Sequence, residues 1–505
     1  MPEPLSTFNP DDVAVHSAHF VGGRYLEADA TMDVHRPSDN LAYAGLPVAE
    51  EEMVDLVVQN AWQAFKGSDW AGRPPRARAA VLRKWADLVE ADAAILAPLE
   101  AVGSTRPLHD VQRWDIPYTA ELLRFYAELA DKVGGEIAAT GDASLGMTIL
   151  EPYGVIGAIA PWNFPLVMAT TKIAPALAAG NAVVLKPSEL TPFSALRLAE
   201  LAIAAGMPPG IFNVVQGDGR RTGDALVRHP RIAKITFTGS TRTGQAIMAA
   251  CAETGTKPVT LELGGKSPQV VFADAPDRDK VARIVAAAIS GNAGQICVAG
   301  SRLIVERSVA EPVLEGIAKV FAGLQPGATW HAGTTLPPII RPADAQRIDG
   351  MVQRTVAAGA SIRAGGRLLQ VAGDGGYYAP TILTDVDAGM EAARAEVFGP
   401  VLTVQVFDDE EEALALADHP AYGLAAGLHT ADISRALRCA RQLEAGTIWV
   451  NRYGRSNDFV LPTGGYKQSG IGKDLGRQAF EANLRIKTVL IDIAPSSTAT
   501  TGMAR

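Results

Sequence analysis

Between residues 155 and 253, short apolar runs alternate with stretches whose apolar positions recur at helical spacing. Residues 155–160 read as a buried strand ended by Pro161, 166–179 as a helix and 181–185 as a second strand. A helix over 194–205, a strand at 211–215, a strand at 235–237 and a helix over 244–253 follow. Continuous apolar strands separated by helices predict a parallel sheet covered on both faces. Ligands of such sheets bind at the carboxyl ends of the strands.

A second alternating region starts at 267–272 and continues through a helix before Cys297 to apolar runs at 302–305 and 446–451. It predicts a second α/β domain. The alternation over 485–491 reads as an edge strand, and an exposed edge invites pairing with another subunit. No internal repeat of solenoid length is visible. The tail from Ala494, rich in Ser, Thr and Ala, is expected to be disordered.

Length agrees with this division, since 505 residues exceed what one compact core accommodates. A net charge of −9 argues against nucleic acid or an anionic membrane as partner. Three cysteines make no disulfide framework, which favours a reducing compartment. Residues 1–12 carry acids and prolines in place of a basic and apolar leader. The most apolar long stretch, 165–185, is interrupted by Lys172, Pro175, Gly180 and Asn181, so a membrane span is not expected. A cytoplasmic location is expected.

Six segments carry candidate chemistry. Cys297 stands in Gly294-Gln295-Ile296-Cys297-Val298-Ala299-Gly300, where small and polar neighbours suit a nucleophile, although a lone cysteine also serves as packing. Asn163, between Pro161 and Pro165, could donate to an oxyanion or cap the next helix. Lys186-Pro187-Ser188-Glu189 follows a strand and could grip the hydroxyls of an adenosine ribose, or be a solvated turn. In Phe237-Thr238-Gly239-Ser240 a strand passes into a helix whose N-terminus could face a pyrophosphate; alone this is a weak motif. Glu262, ending an apolar run before Gly264-Gly265-Lys266, fits a desolvated general base or a structural salt bridge. Glu396 and Phe398, two apart, would face one side of a strand and could hold a ribose and flank a nicotinamide, or simply end that strand.

Pro-Trp-Asn-Phe-Pro, Lys-Pro-Ser-Glu, Phe-Thr-Gly-Ser, Glu-Leu-Gly-Gly-Lys, Gly-Gln-x-Cys and Phe-Gly-Pro-Val occur together in one order. In this the chain resembles the aldehyde dehydrogenase superfamily from about Phe20 to Ile491. The resemblance implies a doubly wound NAD-binding domain (1–132 and 152–264), an α/β catalytic domain (265–478), and an oligomerisation arm with tail (133–151 and 479–505). It implies that Cys297 attacks the aldehyde, that Asn163 and the Cys297 N–H hold the oxyanion, and that Glu262 activates water against a thioester. Lys172 and Asp474 would serve a proton relay. Trp162, Lys186, Ser188, Glu189, Gly217, Gly239, Ser240, Glu396 and Phe398 would bind NAD, favoured over NADP because Glu189 would repel a 2′-phosphate. No metal-ligand set is assigned. The partners implied are a small aldehyde and further copies of the chain, as a homodimer or homotetramer. A depressed thiol pKa is expected at Cys297.

The chain departs from the family pattern at three places. Thr463 stands where Phe is common, Asp474 where Glu is common, and Asp344 where a cofactor-contacting Gln is usual, within an altered 328–344 linker. By position, Trp114, Tyr118, Phe164, Met168, Ile296, Val298 and Phe459 would line a substrate channel, with Asp115, Thr171 and Arg455 as polar members. Their balance predicts medium-sized apolar or aromatic aldehydes.

Overall fold

The computed structural model describes residues 6–371 and 373–493, so the tail from Ala494 lies outside the described residues. Five parallel strands centre an eight-stranded sheet: β1 (Val155–Ile159), β2 (Ala182–Lys186), β3 (Phe212–Val214), β4 (Ile232–Thr238) and β5 (Val259–Glu262). They lie in the order β3-β2-β1-β4-β5, so the winding reverses between β1 and β4 and leaves a crevice at their carboxyl ends. The connecting helices are α1 (Pro165–Ala178), α2 (Phe193–Ala204) and α3 (Thr241–Glu253). Every residue of α1 is buried, as its mostly apolar sequence requires, and Pro165 opens it where no N–H is needed.

Strand β4 begins earlier than its apolar run because Lys234 lies inside it. The buried Lys234 amine donates to Thr260 Oγ1 at 2.8 Å and the Ala482 carbonyl at 2.7 Å. The sheet is closed antiparallel by Ala18–Val21 with Arg24–Glu27 at one edge and by Gly470–Ile471 at the other. The chain therefore returns to the first sheet after crossing the second.

That second sheet has seven strands. β6 (Pro268–Val271), β7 (Arg302–Glu306), β8 (Thr381–Thr384), β9 (Val401–Phe407), β10 (Ala425–His429) and β11 (Thr447–Val450) run parallel in the order β8-β9-β7-β6-β10-β11, with Ser361–Ala364 antiparallel at the β8 edge. Helix α4 (Arg278–Ser290) follows β6, N-capped by Asp277, which accepts from the Lys280 N–H. It buries Val281, Val285 and Ile289 and turns Lys280, Arg283 and Ala287 outward.

Leu484–Asp492 pairs antiparallel with Ser144–Pro152, and Ile137–Ala138 adds a short third strand. Ile486 and Leu490 on this ribbon are about 70% exposed, as the edge-strand reading expected. Among the described residues, no helix is long and apolar enough to cross a membrane.

Candidate active site

Cys297 follows α4 through a tight loop, Gly291–Gly294, in which Asn292 and Ala293 hold left-handed φ values of 47° and 51°. Such strain persists only where surrounding contacts impose it. Here the Asn292 amide donates to the Asn163 carbonyl at 2.9 Å and accepts from Thr105 Oγ1 at 2.8 Å. Gln295, fully buried, donates to the Asn292 and Pro338 carbonyls and accepts from the Ile340 N–H. Gly265 lies so close that a Cβ there would sit 2.6 Å from the Cys297 carbonyl oxygen. Tyr453 donates to the Val298 carbonyl at 2.8 Å and fixes the other side.

Asn163 does not cap α1. Its amide nitrogen donates to the Gln295 carbonyl at 2.9 Å, and an amide carries two N–H donors, so one stays available. Asn163 and Cys297 line the same cavity. Burial pushes the Cys297 thiol up, against the expected depression, and Arg455 opposes that rise.

Glu262 ends β5 beside Thr238 of β4, which also lines the cavity. Its carboxylate is buried with no hydrogen-bond partner, so it is not a structural salt bridge. Burial, reinforced by Asp474, pushes it up to about 7. Lys172, on α1, donates to Asp474 at 2.6 Å in the interior. Both are among the charges that act on Glu262.

The remaining segments gather at the carboxyl ends of the first sheet. Trp162 follows β1, Lys186 ends β2, Gly217 follows β3, and Gly239 with Ser240 follows β4. Lys186 is buried and donates to the Pro187 carbonyl at 2.9 Å, with Glu189 at 3.4 Å. Burial lowers the Lys186 pKa and Glu189 opposes this. Ser188 accepts from the Leu190 N–H and shapes the turn. Gly217 holds φ at +146°, and a Cβ there would collide with Thr222. Gly239 donates to the Glu262 carbonyl at 3.0 Å. Ser240 caps α3 by accepting from the Thr243 N–H, and it stays exposed with the helix N-terminus.

Glu396 and Phe398 come from the second sheet's side. They do not lie on a strand: the segment is a loop before β9 with Phe398 at φ 53°. The shared strand face expected of these two residues is therefore absent, since the strand begins only at Val401. Glu396 accepts from the Gly265 N–H at 3.1 Å and is pushed up to about 7 by burial. The Phe398 ring meets Trp162 edge-on at 5.4 Å, joining the two walls of the crevice.

Residues 25–489 match the model of the aldehyde dehydrogenase family. The chain belongs to that family. It is 42% identical to a NADP/NAD-dependent aldehyde dehydrogenase, PuuC, of Escherichia coli (strain K12), over 95% of this chain and 97% of that one. It is 41% identical to a betaine aldehyde dehydrogenase of Cereibacter sphaeroides, over 95% and 98% of the two chains. An indole-3-acetaldehyde dehydrogenase of P. syringae, solved with NAD+ and IAA, superposes with a TM-score of 0.93 at 39% identity, covering 96% of this chain and 98% of that chain.

In this aldehyde dehydrogenase fold the cavity beside Cys297 has a volume of about 640 Å³. Trp114, Phe164, Met168, Ile296, Val298 and Arg455 line it as expected. Four expected members do not. Tyr118 and Phe459 pack on each other at 4.8 Å in the core. Thr171 turns back to the Val167 carbonyl, and Asp115 is fully buried in a paired contact with Arg106 at 2.8 and 3.1 Å. Lys280 and Arg283, which sequence reasoning missed, line it from the outer face of α4, where only the helical phase of that segment signals them. Asp344 turns to Arg341 at 2.8 Å and Arg347 at 3.6 Å, and Arg347 donates to the Val397 carbonyl beside Phe398. Also missed was Lys266, whose buried amine has no hydrogen bond and is lowered by burial to about 7.

Proposed function

We propose that the enzyme oxidises an aldehyde to its carboxylic acid through a thioester on Cys297, with NAD as hydride acceptor. The observation that carries this reading is a thiol and an amide donor lining one cavity, with a buried, unbonded carboxylate whose charge acts on that thiol. Cys297 Sγ, as thiolate, adds to the carbonyl carbon, and the carbonyl electron pair moves to oxygen. The free Asn163 N–H and the Cys297 backbone N–H stabilise that oxyanion. On collapse the carbon loses hydride and keeps sulfur, giving a thioester. Glu262 then takes a proton from water, whose oxygen displaces the Cys297 thiolate and releases the acid. The Lys172–Asp474 pair provides a buried route for the proton held by Glu262.

The residues present fit a dinucleotide. An exposed, Ser-capped helix N-terminus suits a pyrophosphate, and a Cβ at Gly217 would fill the turn beyond β3. Lys186, Ser188 and Glu189 would hold the adenosine ribose, and Glu396 with Phe398 and Trp162 the nicotinamide half. NAD supplies a cationic ring that accepts the hydride and favours the thiolate. Glu189 favours NAD over NADP by charge. The first sheet with residues 1–132 and 152–264 is assigned to the cofactor and 265–478 to catalysis. The exposed Leu484–Asp492 ribbon, within an arm formed by 133–151 and 479–505, is assigned to subunit pairing in a homodimer or homotetramer.

The test is NADH formation from an aldehyde panel, with NAD and NADP compared by kcat/KM. Stoichiometric acid product supports the reading. NADH formation that persists in Cys297→Ala would sink it.

A further inference from the structure

The charges around the cavity do not match a channel for neutral aldehydes alone. Arg106, Lys280, Arg283 and Arg455 line it, with Asp110 as the carboxylate on its wall. Arg106 is held by Asp115 at 2.8 Å and by Asp110 at 3.6 Å, and Asp110 also meets His109 at 3.0 Å. Among the described residues, no carboxylate lies within ion-pair distance of Arg455, Lys280 or Arg283. Glu262 and Asp474 both act on Arg455 from farther off, and Asp474 is taken by Lys172 at 2.6 Å. The cavity is thus cationic inside a chain of net charge −9.

We infer that Arg455 binds an anionic group carried by the substrate, so that the physiological aldehyde bears a carboxylate. This rests on the aldehyde-oxidation reading above. Arg455 lines the same cavity as Cys297, and its planar fork of donors matches a carboxylate. Lys280 and Arg283, exposed on α4, add a field that draws anions inward. Trp114, Phe164, Val167, Met168 and Ile296 supply an apolar wall for the carbon skeleton of such an aldehyde. A trimethylammonium or amino aldehyde would meet repulsion from the same groups.

The test compares succinic semialdehyde with its primary amide, and para-carboxybenzaldehyde with its primary amide, in wild type, Arg455→Gln and Arg455→Lys. Each acid should exceed its amide in kcat/KM by about 10- to 100-fold, the range of a charge-assisted hydrogen bond. Arg455→Gln should collapse that ratio through KM, and Arg455→Lys should restore part of it. Equal kcat/KM for acid and amide in wild type, or equal losses on both in Arg455→Gln, would overturn the inference. The second result would mean that Arg455 acts on the Cys297 thiol or on the fold. A readout without turnover separates this from the oxidation reading: protection of Cys297 from iodoacetamide by succinate and by succinamide. Protection by succinate alone, lost in Arg455→Gln, supports the anion site even if no aldehyde is oxidised. Equal protection by the two compounds refutes it even if aldehydes are.

Discussion

Thr463 and Asp474 exchange both backbone hydrogen bonds, at 2.7 and 2.8 Å, and so fix the backbone from which Asp474 reaches Lys172. Asp474 closes the contact with Lys172 at 2.6 Å in the interior.

Breaking that pair should be costly. Asp474→Asn leaves a buried ammonium without its counter-charge, and about 3–5 kcal/mol of stability should be lost. Replacing both partners, as Lys172→Met with Asp474→Leu, should recover much of this. Chemical denaturation of the two variants provides the comparison, and equal losses in both would argue against a buried ion pair.

Cys297→Ala should lower NADH formation by about 10³-fold or more while leaving thermal stability near wild type, since the side chain loses only a weak sulfur contact with the Val298 N–H. Mass spectrometry after iodoacetamide should show that the modification present on Cys297 of wild type is missing from the variant.

Glu262→Gln should form about one NADH per site and then stall, because acylation precedes the step that needs the base. In wild type, deacylation should rise with pH through about 7, where the buried carboxyl gives up its proton. Stability should run the other way. A carboxyl raised from 4.5 to about 7 on folding stabilises the fold fully below 4.5, and that contribution is lost as pH rises through 7. Wild type should therefore lose Tm between pH 5 and pH 8 relative to Glu262→Gln. Parallel Tm profiles for the two proteins would refute this.

Glu189→Gln should raise the NADP-to-NAD ratio of kcat/KM by about tenfold, the effect of removing roughly 1.4 kcal/mol of repulsion. Initial rates with both cofactors measure it. A ratio that does not change would separate Glu189 from the ribose.

Much of the site was legible because its segments lie where apolar strands end, and strand ends are visible as breaks in hydrophobic runs. Asn163, Lys186, Gly239 and Glu262 were singled out in this way, whereas Trp162 and Gly217 came from the family resemblance. Lys234 was missed as a strand residue because its charge breaks the run, whereas Thr260 and the Ala482 carbonyl satisfy it in the interior. The Glu396–Phe398 loop was misread as a strand because left-handed φ leaves no mark in residue type at Phe398. Asp115 and Tyr118 were given to the channel because spacing along a helix does not reveal the partner that draws a side chain inward. The direction of the Cys297 thiol shift depends on desolvation, which the local sequence does not carry.

Gln295 and Asn292 tie the nucleophile loop to chain segments far apart in sequence: Thr105 lies 187 residues from Asn292, Asn163 132 from Gln295, and Pro338 43 from Gln295. Such contacts form late, after the intervening chain has collapsed and both sheets have met. A half-made molecule emerging from the ribosome would therefore carry only an ordinary cysteine at position 297. What completion of the fold supplies is the company of that thiol: only then do the Asn163 amide and the Glu262 carboxylate, from the other sheet, stand near it.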